Sequence, residues 1–373
     1  IRTVAIYSEE DKNTLFRTKA DEAYQIGKGK TPVGAYLGID EIIALAKAKG
    51  VDAIHPGYGF LAENAEFAQA CADEGIEFIG PTADMMNALG DKIQSKLVAH
   101  SVGVPTVPGV EKAIETEAEA LEFANSCGYP VMLKAAAGGG GRGMRIVRTE
   151  EELLPQFRSA RSEAAKAFGI DDIFIEKYLE NPKHIEVQIL GDKAGNIVHL
   201  FERDCSIQRN HQKLIEESPC AIMSDALRQK MGEAAVNAAK AAGYVNAGTI
   251  EFLLEKTGRF YFMEMNTRIQ VEHPVTEWVT GIDLIKEQIR IADGRELSYT
   301  QEDVKLTGHA IECRINAENP KKHFMPCPGR ITNVHIPGGN GVRVDTHIYN
   351  GYKVPANYDS MLMLSHFKGH AMG

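Results

Sequence analysis

The stretch AGTIEFLLEKTGRFYFMEMN, Ala247 to Asn266, restricts the fold more than any other. Two runs of β-branched and aromatic residues flank Lys256-Thr257-Gly258, the pattern of a β-hairpin. An even-length loop there, such as Thr257-Gly258, sets Glu251 directly opposite Glu264 on one face of the sheet. Like charges so placed destabilise a hairpin. A hard cation between them turns the repulsion into coordination, and Mg²⁺ takes one or two carboxylates while leaving room for substrate phosphates. Asn266, two residues beyond Glu264, adds an amide oxygen. Arg268, Gln270 and Glu272 follow at every second position, so an extended segment would carry the row further. The competing reading is a solvated edge strand.

A chain of 373 residues predicts two or three domains. A hydrophobic share of 44% with 25% charged residues is that of a water-soluble globular protein, and a net charge of −10 argues against nucleic acid. No apolar run approaches the length of a membrane span. The six cysteines, at 71, 127, 205, 220, 313 and 327, form no CxxC pair, which fits a reducing cytoplasm. Ile1 opens directly on a strand-like run and MLMLSHFKGHAMG closes without an evident element. The chain is therefore read as a piece of a longer one.

Residues 1–89 alternate strands and helices, with Gly50 and Gly75 after two helices, which implies a parallel sheet. HPGYGFLAEN, His55 to Asn64, falls at a strand end, where ligands of such sheets bind; it is as readily a plain strand–helix turn. Residues 90–105 continue the helix DMMNALGDKIQSKLVAHSVG. There Lys92 is by spacing alone more often a solvated cation than a functional one. Residues 106–178 carry their own pattern of helix, strand, glycine loop, strand, helix and strand, an inserted α+β unit. GGGGRG, Gly138 to Gly143, formally matches GxGxxG, but the strand MRIVR follows where a dinucleotide fold needs a helix. The loop reads as a hairpin tip whose N–H groups suit phosphates, with Lys134 at the end of the preceding strand. Residues 179–373 complete the chain: His184 to Gln188 alternate as a strand, and Gln208, His211 and Lys213 crowd together as anion donors rather than zinc ligands. TEWVTGIDLIKEQIRIADG reads as one helix, and GHAIECRINAE as a strand with Arg314 at a polar position.

HPGYGFLAEN, KAAAGGGGRGMRIVR, EKYLENPKHIEVQ, ERDCSIQRNHQK, EMNTRIQVEHPVTE and ECRINAE occur in this order. Together they resemble the biotin carboxylase family of the ATP-grasp superfamily over essentially the whole chain. The resemblance implies an α/β (α+β) ATP-grasp fold with an N-terminal parallel-sheet domain, a small lid domain and a C-terminal antiparallel-sheet domain. It implies that Lys92 and Lys134 touch the ATP phosphates, the latter with the lid glycines Gly138, Gly139, Gly140, Gly141 and Gly143. Glu176, Lys177 and Leu179 would hold the adenine end, His184 the ribose side, and Gln208 and His211 the nucleotide. Glu251, Glu264 and Asn266 match the Mg²⁺ ligands (with Mn²⁺ as a substitute), in agreement with the hairpin argument. Lys213, Arg268, Gln270 and the Val271 amide match the bicarbonate site, Glu272 the general base, and Arg314 the residue that steadies the biotin enolate.

The implied activity is ATP- and bicarbonate-dependent carboxylation of biotin through carboxyphosphate. No biotinyl-lysine context occurs in the chain, so the biotin would arrive on a carrier domain or protein. A carboxyltransferase partner and a homo-oligomer complete the implied assembly. TVAIYSEEDKNTLFRTKADEAY resembles pyruvate carboxylase, whereas EMNTRIQVEHPVTE and GHAIECRINAE look more like acetyl-CoA carboxylase subunits. Ala137 and Asn210 stand where the family usually has Gly and Arg, and the residues after Ser360 depart from the expected strand. The rival readings are another ATP-grasp ligase and a nucleotide-binding domain without turnover.

Overall fold

A computed structural model describes residues 1–90, 92–110, 112–135, 144–168 and 171–369. The chain divides into two compact units, Ile1–Val98 with His184–Phe252 and Glu264–Gly373, and Ala99–Lys183 with Leu253–Met263.

In the first unit, the N-terminal region contains two short parallel pairs, Val4–Tyr7 with Glu22–Gln25 and Ala53–Ile54 with Glu77–Phe78. The helix Ile39–Lys49 buries Ile42, Ile43 and Ala46 and ends at Gly50, whose φ of 63° is the left-handed conformation that glycine adopts without penalty. Asn64 caps the helix Ala65–Asp73 by accepting from the Phe67 N–H at 2.7 Å. Phe67 meets Phe78 edge to face, with ring centroids 5.9 Å apart, inside an apolar cluster. The helix expected across 82–104 is described as two segments, Ala83–Gly90 and Lys92–Ser101.

The rest of this unit is organised on an eight-stranded sheet. Its strands are β1 Lys183–Gly191, β2 Ile197–Arg209, β3 Gln212–Ser218, β4 Asn246–Leu254, β5 Phe260–Asn266, β6 His309–Asn316, β7 Val342–Thr346 and β8 Met361–Gly369. Their order across the sheet is β5-β4-β1-β2-β3-β6-β8-β7. The pairs β1–β2, β2–β3, β3–β6, β6–β8 and β7–β8 are antiparallel. β2 runs on through the motif ERDCSIQR to a tight turn at Asn210-His211, both at positive φ (52° and 63°). Two left-handed residues in succession are what a two-residue hairpin demands, and Asn at the first suits it. The expected single helix from Thr276 onward is instead two, His273–Thr280 and Leu284–Ala292, separated at Gly281 with φ 76°. The tail after Ser360, expected to lack its strand, forms β8 and pairs on both edges. Its alternating Met361, Met363, Ser365 and Phe367 suffice for a strand whatever their departure from relatives.

The second unit contains a three-stranded antiparallel sheet, Met144–Val147, Val131–Ala135 and Ile173–Lys177 in that order. The helices Glu117–Cys127 and Glu150–Phe168 cover it. Val131, Leu133, Val147, Leu153, Phe157, Ile173 and Ile175 form a wholly apolar core. The tip of the β4–β5 hairpin also belongs to this unit. It closes through the Glu255 N–H to the Arg259 carbonyl at 2.8 Å, with Gly258 at φ 82°. Three residues, 256–258, therefore form the turn. An odd turn shifts the register by one, so counting from this pair does not set Glu251 directly against Glu264. The even-loop argument for their opposition is corrected on this point.

Candidate functional site

Strands of the large sheet and one loop bring a dense set of charges together in the first unit. On β1 and β2, Glu186 and Arg203 are direct cross-strand partners and both are fully buried. Arg203 uses all five of its donors. Nε donates to Glu186, Nη1 to Gln188 Oε1 at 2.8 Å and Thr276 Oγ1 at 2.9 Å, and Nη2 to Gln270 Oε1 at 2.8 Å and Thr249 Oγ1 at 3.3 Å. A buried guanidinium is tolerable only when so completely satisfied.

Lys213, the second residue of β3, reaches three carboxylates. Its Nζ contacts Glu186, Glu251 Oε1 at 3.1 Å and Glu272 Oε1 at 2.7 Å. Burial pulls the Lys213 ammonium towards neutrality, but Glu186 and Glu272 outweigh it and its pKa is raised. Glu251 shows the reverse balance. Burial pushes its carboxyl up, whereas His184 and Lys213 hold it down at about 2. Glu251 Oε1 also accepts from Asn266 Nδ2 at 2.9 Å and Gln270 Nε2 at 3.0 Å. His184 Nε2 lies 2.7 Å from Glu251 Oε2 without hydrogen-bond alignment, while His184 Nδ1 faces the Gln208 amide at 3.2 Å.

The segment 267–272 is not extended, which corrects the expected alternating row. It leaves β5 at Asn266 and turns at Val271 and Glu272, and Glu272 occupies the N-cap position of the helix His273–Thr280. The turn nevertheless gathers the same side chains. Arg268 donates to Glu63 Oε2 at 2.8 Å and to Asn266 Oδ1 at 3.2 Å, and the Thr267 N–H donates to Glu63 Oε1 at 2.9 Å. Glu63, from HPGYGFLAEN, thus anchors the strand exit. Gln270 bridges Arg203 and Glu251, its amide oriented by one donor and one acceptor. Glu272 is 2% exposed and sits between two cations, with Lys213 on Oε1 and Arg314 Nη2 on Oε2 at 2.8 Å. Arg314 Nε turns the other way, to Glu216 Oε1 at 2.8 Å.

Nine of the expected residues thus meet in one cluster or beside it: His184, Gln208, Lys213, Glu251, Asn266, Arg268, Gln270, Glu272 and Arg314. Val271 stands in the turn between Gln270 and Glu272, and Glu264 is half-buried near the end of β5. His211 is exposed at the β2–β3 turn, which is the ordinary setting of a turn histidine. In the second unit, Lys134 pairs with Glu176 across adjacent strands, and Leu179 is buried. Lys177 Nζ donates to the carbonyls of Gly128 at 2.8 Å and Tyr129 at 2.9 Å, so it ties down the chain just past the helix Glu117–Cys127. Lys92 opens the helix Lys92–Ser101. The glycines Gly138, Gly139, Gly140, Gly141 and Gly143 lie outside the described residues.

The oxygen donors suit a hard divalent ion. Glu251 is kept ionised, Asn266 touches it, and Glu264 is two residues away on the same strand as Asn266; none of the three is a soft sulfur ligand. Glu186, Arg203, Glu216 and Glu312 are the residues missed by sequence reading. The available signal was the run of charged and amide residues inside two strand-like segments, Glu186 and Gln188 in the first and Glu202, Arg203 and Asp204 in the second.

Comparison with known proteins places this arrangement. Residues 1–86 match the family "Biotin carboxylase, N-terminal domain", and residues 312–371 match "Biotin carboxylase C-terminal domain". Residues 91–300 match "Carbamoyl-phosphate synthase L chain, ATP binding domain". The biotin carboxylase of Nostoc sp. is 57% identical over 97% of this chain and 81% of its own length. The chain belongs to the biotin carboxylase family.

Among solved structures of biotin carboxylases, the domain of a thermophilic 2-oxoglutarate carboxylase bound to bicarbonate superposes with a TM-score of 0.95 at 50% identity. It covers 99% of this chain and 81% of that one. The Hydrogenobacter thermophilus domain dimer with MgADP, ADP and bicarbonate gives 0.88 at 52% identity, with the same coverage. The family resemblance carried by the six motifs holds, as does its ATP-grasp fold class. No helix of the described residues is long and apolar enough to cross a membrane.

Proposed function

We propose that the chain catalyses ATP- and bicarbonate-dependent carboxylation of biotin presented by a carrier domain or protein. The observation that carries the proposal is Glu272, buried between Lys213 at 2.7 Å and Arg314 at 2.8 Å. A carboxylate so flanked accepts a proton from an anion that the same cations attract. Bicarbonate has that chemistry. Lys213, Arg268, Gln270 and the Val271 amide hold it, and Glu272 removes its proton. The carbonate oxygen then attacks the γ-phosphorus of ATP, and the bond to the leaving ADP oxygen breaks, giving carboxyphosphate.

Carboxyphosphate divides into CO₂ and phosphate, the phosphate takes the N1′ proton of biotin, and N1′ bonds to CO₂. Arg314 stabilises the ureido oxygen while it carries charge. A magnesium ion held by Glu251, Glu264 and Asn266 would supply charge neutralisation to the ATP phosphates, and manganese suits the same donors. Lys92, Lys134, Glu176, Lys177, Leu179, His184, Gln208 and His211 belong to the nucleotide site on this reading. The partners are a biotin carrier, a carboxyltransferase and a second copy of the chain, in the cytoplasm. Relatives named for pyruvate and for 2-oxoglutarate match at 56% and 53% identity, which supports an acceptor chosen by the partner rather than by this chain.

Phosphate release from ATP with bicarbonate and magnesium, with and without free biotin, tests the proposal. Biotin-stimulated release that requires bicarbonate is the expected result, and nucleotide binding without any biotin effect would sink it. Glu272→Gln is expected to bind ATP and to lose about 10²–10⁴-fold of the biotin-dependent rate, the usual loss of a positioned base.

A further inference from the structure

Behind Arg314 lies a line of charge that the proposed reaction does not use. Glu216 on β3, Glu312 on β6, His366 on β8 and Arg343 on β7 are successive direct cross-strand partners. The first three are fully buried. Glu216 Oε1 accepts from Arg314, but Glu216 Oε2 and Glu312 Oε1 are buried with no hydrogen-bond partner among the described residues. Directly opposite side chains stand about 5 Å apart at Cβ, so these carboxyls face each other. Two carboxylates out of water at that separation do not both ionise.

His366 says where a proton must be. Its Nδ1 faces the Arg343 carbonyl at 3.3 Å, and a carbonyl only accepts, so Nδ1 carries hydrogen. Its Nε2 stands 2.7 Å from Glu312 Oε2. Neutral imidazole and ionised carboxylate would set lone pair against lone pair there. One proton therefore occupies the Glu312–His366 contact. The surrounding charges are Arg314 on β6, Arg343 and Asp345 on β7, Glu272, His273 and Glu277 from the packed helix and its cap, Glu186 and Arg203 from β1 and β2, and Tyr58 from the HPGYGF loop. Burial and the facing carboxyl raise Glu216 to about 8 against the pull of Arg314, and raise Glu312 well above the usual range.

We propose that Glu216, Glu312 and His366 form a proton-holding row that positions Arg314, deciding how its charge divides between Glu216 and Glu272. With the row protonated, Glu216 is a weak partner and Arg314 is free for Glu272 and the biotin oxygen. With the proton gone, ionised Glu216 draws Arg314 back. The kinetic part of this inference rests on the proposed biotin-carboxylating role of Arg314.

Two substitutions separate the row from a packing role, because one is expected to abolish the pH dependence and the other to leave it. Glu216→Gln keeps the neighbour of Arg314 neutral at every pH, and the Michaelis constant for free biotin is expected to stay low and flat into alkali. Glu312→Gln keeps the group facing Glu216 neutral, as the protonated Glu312–His366 contact does, so that constant is expected to keep its climb with pH. In the wild type the constant climbs with pH, by up to about tenfold per unit above the titration. Infrared spectroscopy of the whole chain gives an independent reading: a protonated-carboxyl band that survives above pH 7 and loses intensity in Glu312→Gln. Absence of that band in the wild type, or both variants moving the biotin constant the same way, would overturn the proposal. If no form shows biotin-stimulated turnover, the functional reading fails and the infrared band alone decides the row.

Discussion

The two units differ in what their sheets bury. The core of the second is Val131, Leu133, Val147, Leu153, Phe157, Ile173 and Ile175, with its ion pairs outside, such as Arg158 with Glu117. The eight-stranded sheet of the first buries Glu186, Arg203, Glu216, Glu251, Glu312 and His366, with Glu272 buried beside it at a helix N-cap. Apolar burial stabilises by roughly 25 cal/mol per Å². A buried ion pair often does no better than an apolar pair of the same size and suffers far more when one partner is lost. The difference teaches that stability in the sheet depends on every charge keeping its partner.

Lys213→Met is the strongest way to break this contrast. It leaves Glu186, Glu251 and Glu272 without their shared cation, and a loss of about 3–5 kcal/mol in urea unfolding is expected together with the loss of turnover. Leu153→Ala is the counterpart in the apolar unit. About 2–5 kcal/mol is expected, from cavity formation alone, with a rate per folded molecule close to wild type. Similar losses of turnover in both variants would show that the charged cluster has no special part.

Acid and alkali probe the charged sheet next. Glu186 and Glu251 are held down at about 2, against burial, chiefly by Arg203 and Lys213 for the first and by His184 and Lys213 for the second. Their contribution is therefore present above the ordinary carboxylate range and is lost as pH falls from about 4.5 towards 2. Glu216 has the opposite sign. Raised to about 8 by burial, it contributes below the ordinary carboxylate value and loses that contribution as pH rises towards 8. Melting temperature against pH is thus expected to fall at both ends, and Glu216→Gln should flatten the alkaline side only. Arg158→Ala sits at the bottom of the scale. Its paired Glu117 is 40% exposed and the arginine 65%, so solvent screens the pair and the thermal unfolding curve is expected to stay close to wild type.

Much of this was legible in the residues. Gly50 and Gly75 marked helix ends because glycine's preference for the left-handed conformation is local. The six motifs named the family because each packs several chemical residue types into a short span. Register was not legible, since a turn of two or three residues differs by one step that composition does not record; the three-residue turn at 256–258 moved the Glu251–Glu264 opposition. Gln270 and Glu272 were identified although their backbone turns, because their side chains converge by tertiary packing rather than by alternation. Glu186 and Arg203 were missed for the same reason: each resembles a surface charge until β1 and β2 are set side by side.

Arg203 has a consequence for how this unit assembles. Its five donors end on β1, on β4, in the turn at Gln270 and on the helix at Thr276, so a single cation records whether four separate segments have arrived. Any partly assembled sheet would enclose that cation with empty valences, a state costlier than remaining open to water. The guanidinium is therefore expected to act as a coincidence detector for folding: a state with three of the four segments in place would leave donors unsatisfied, so the residue that looks least like a core residue would penalise partial assembly.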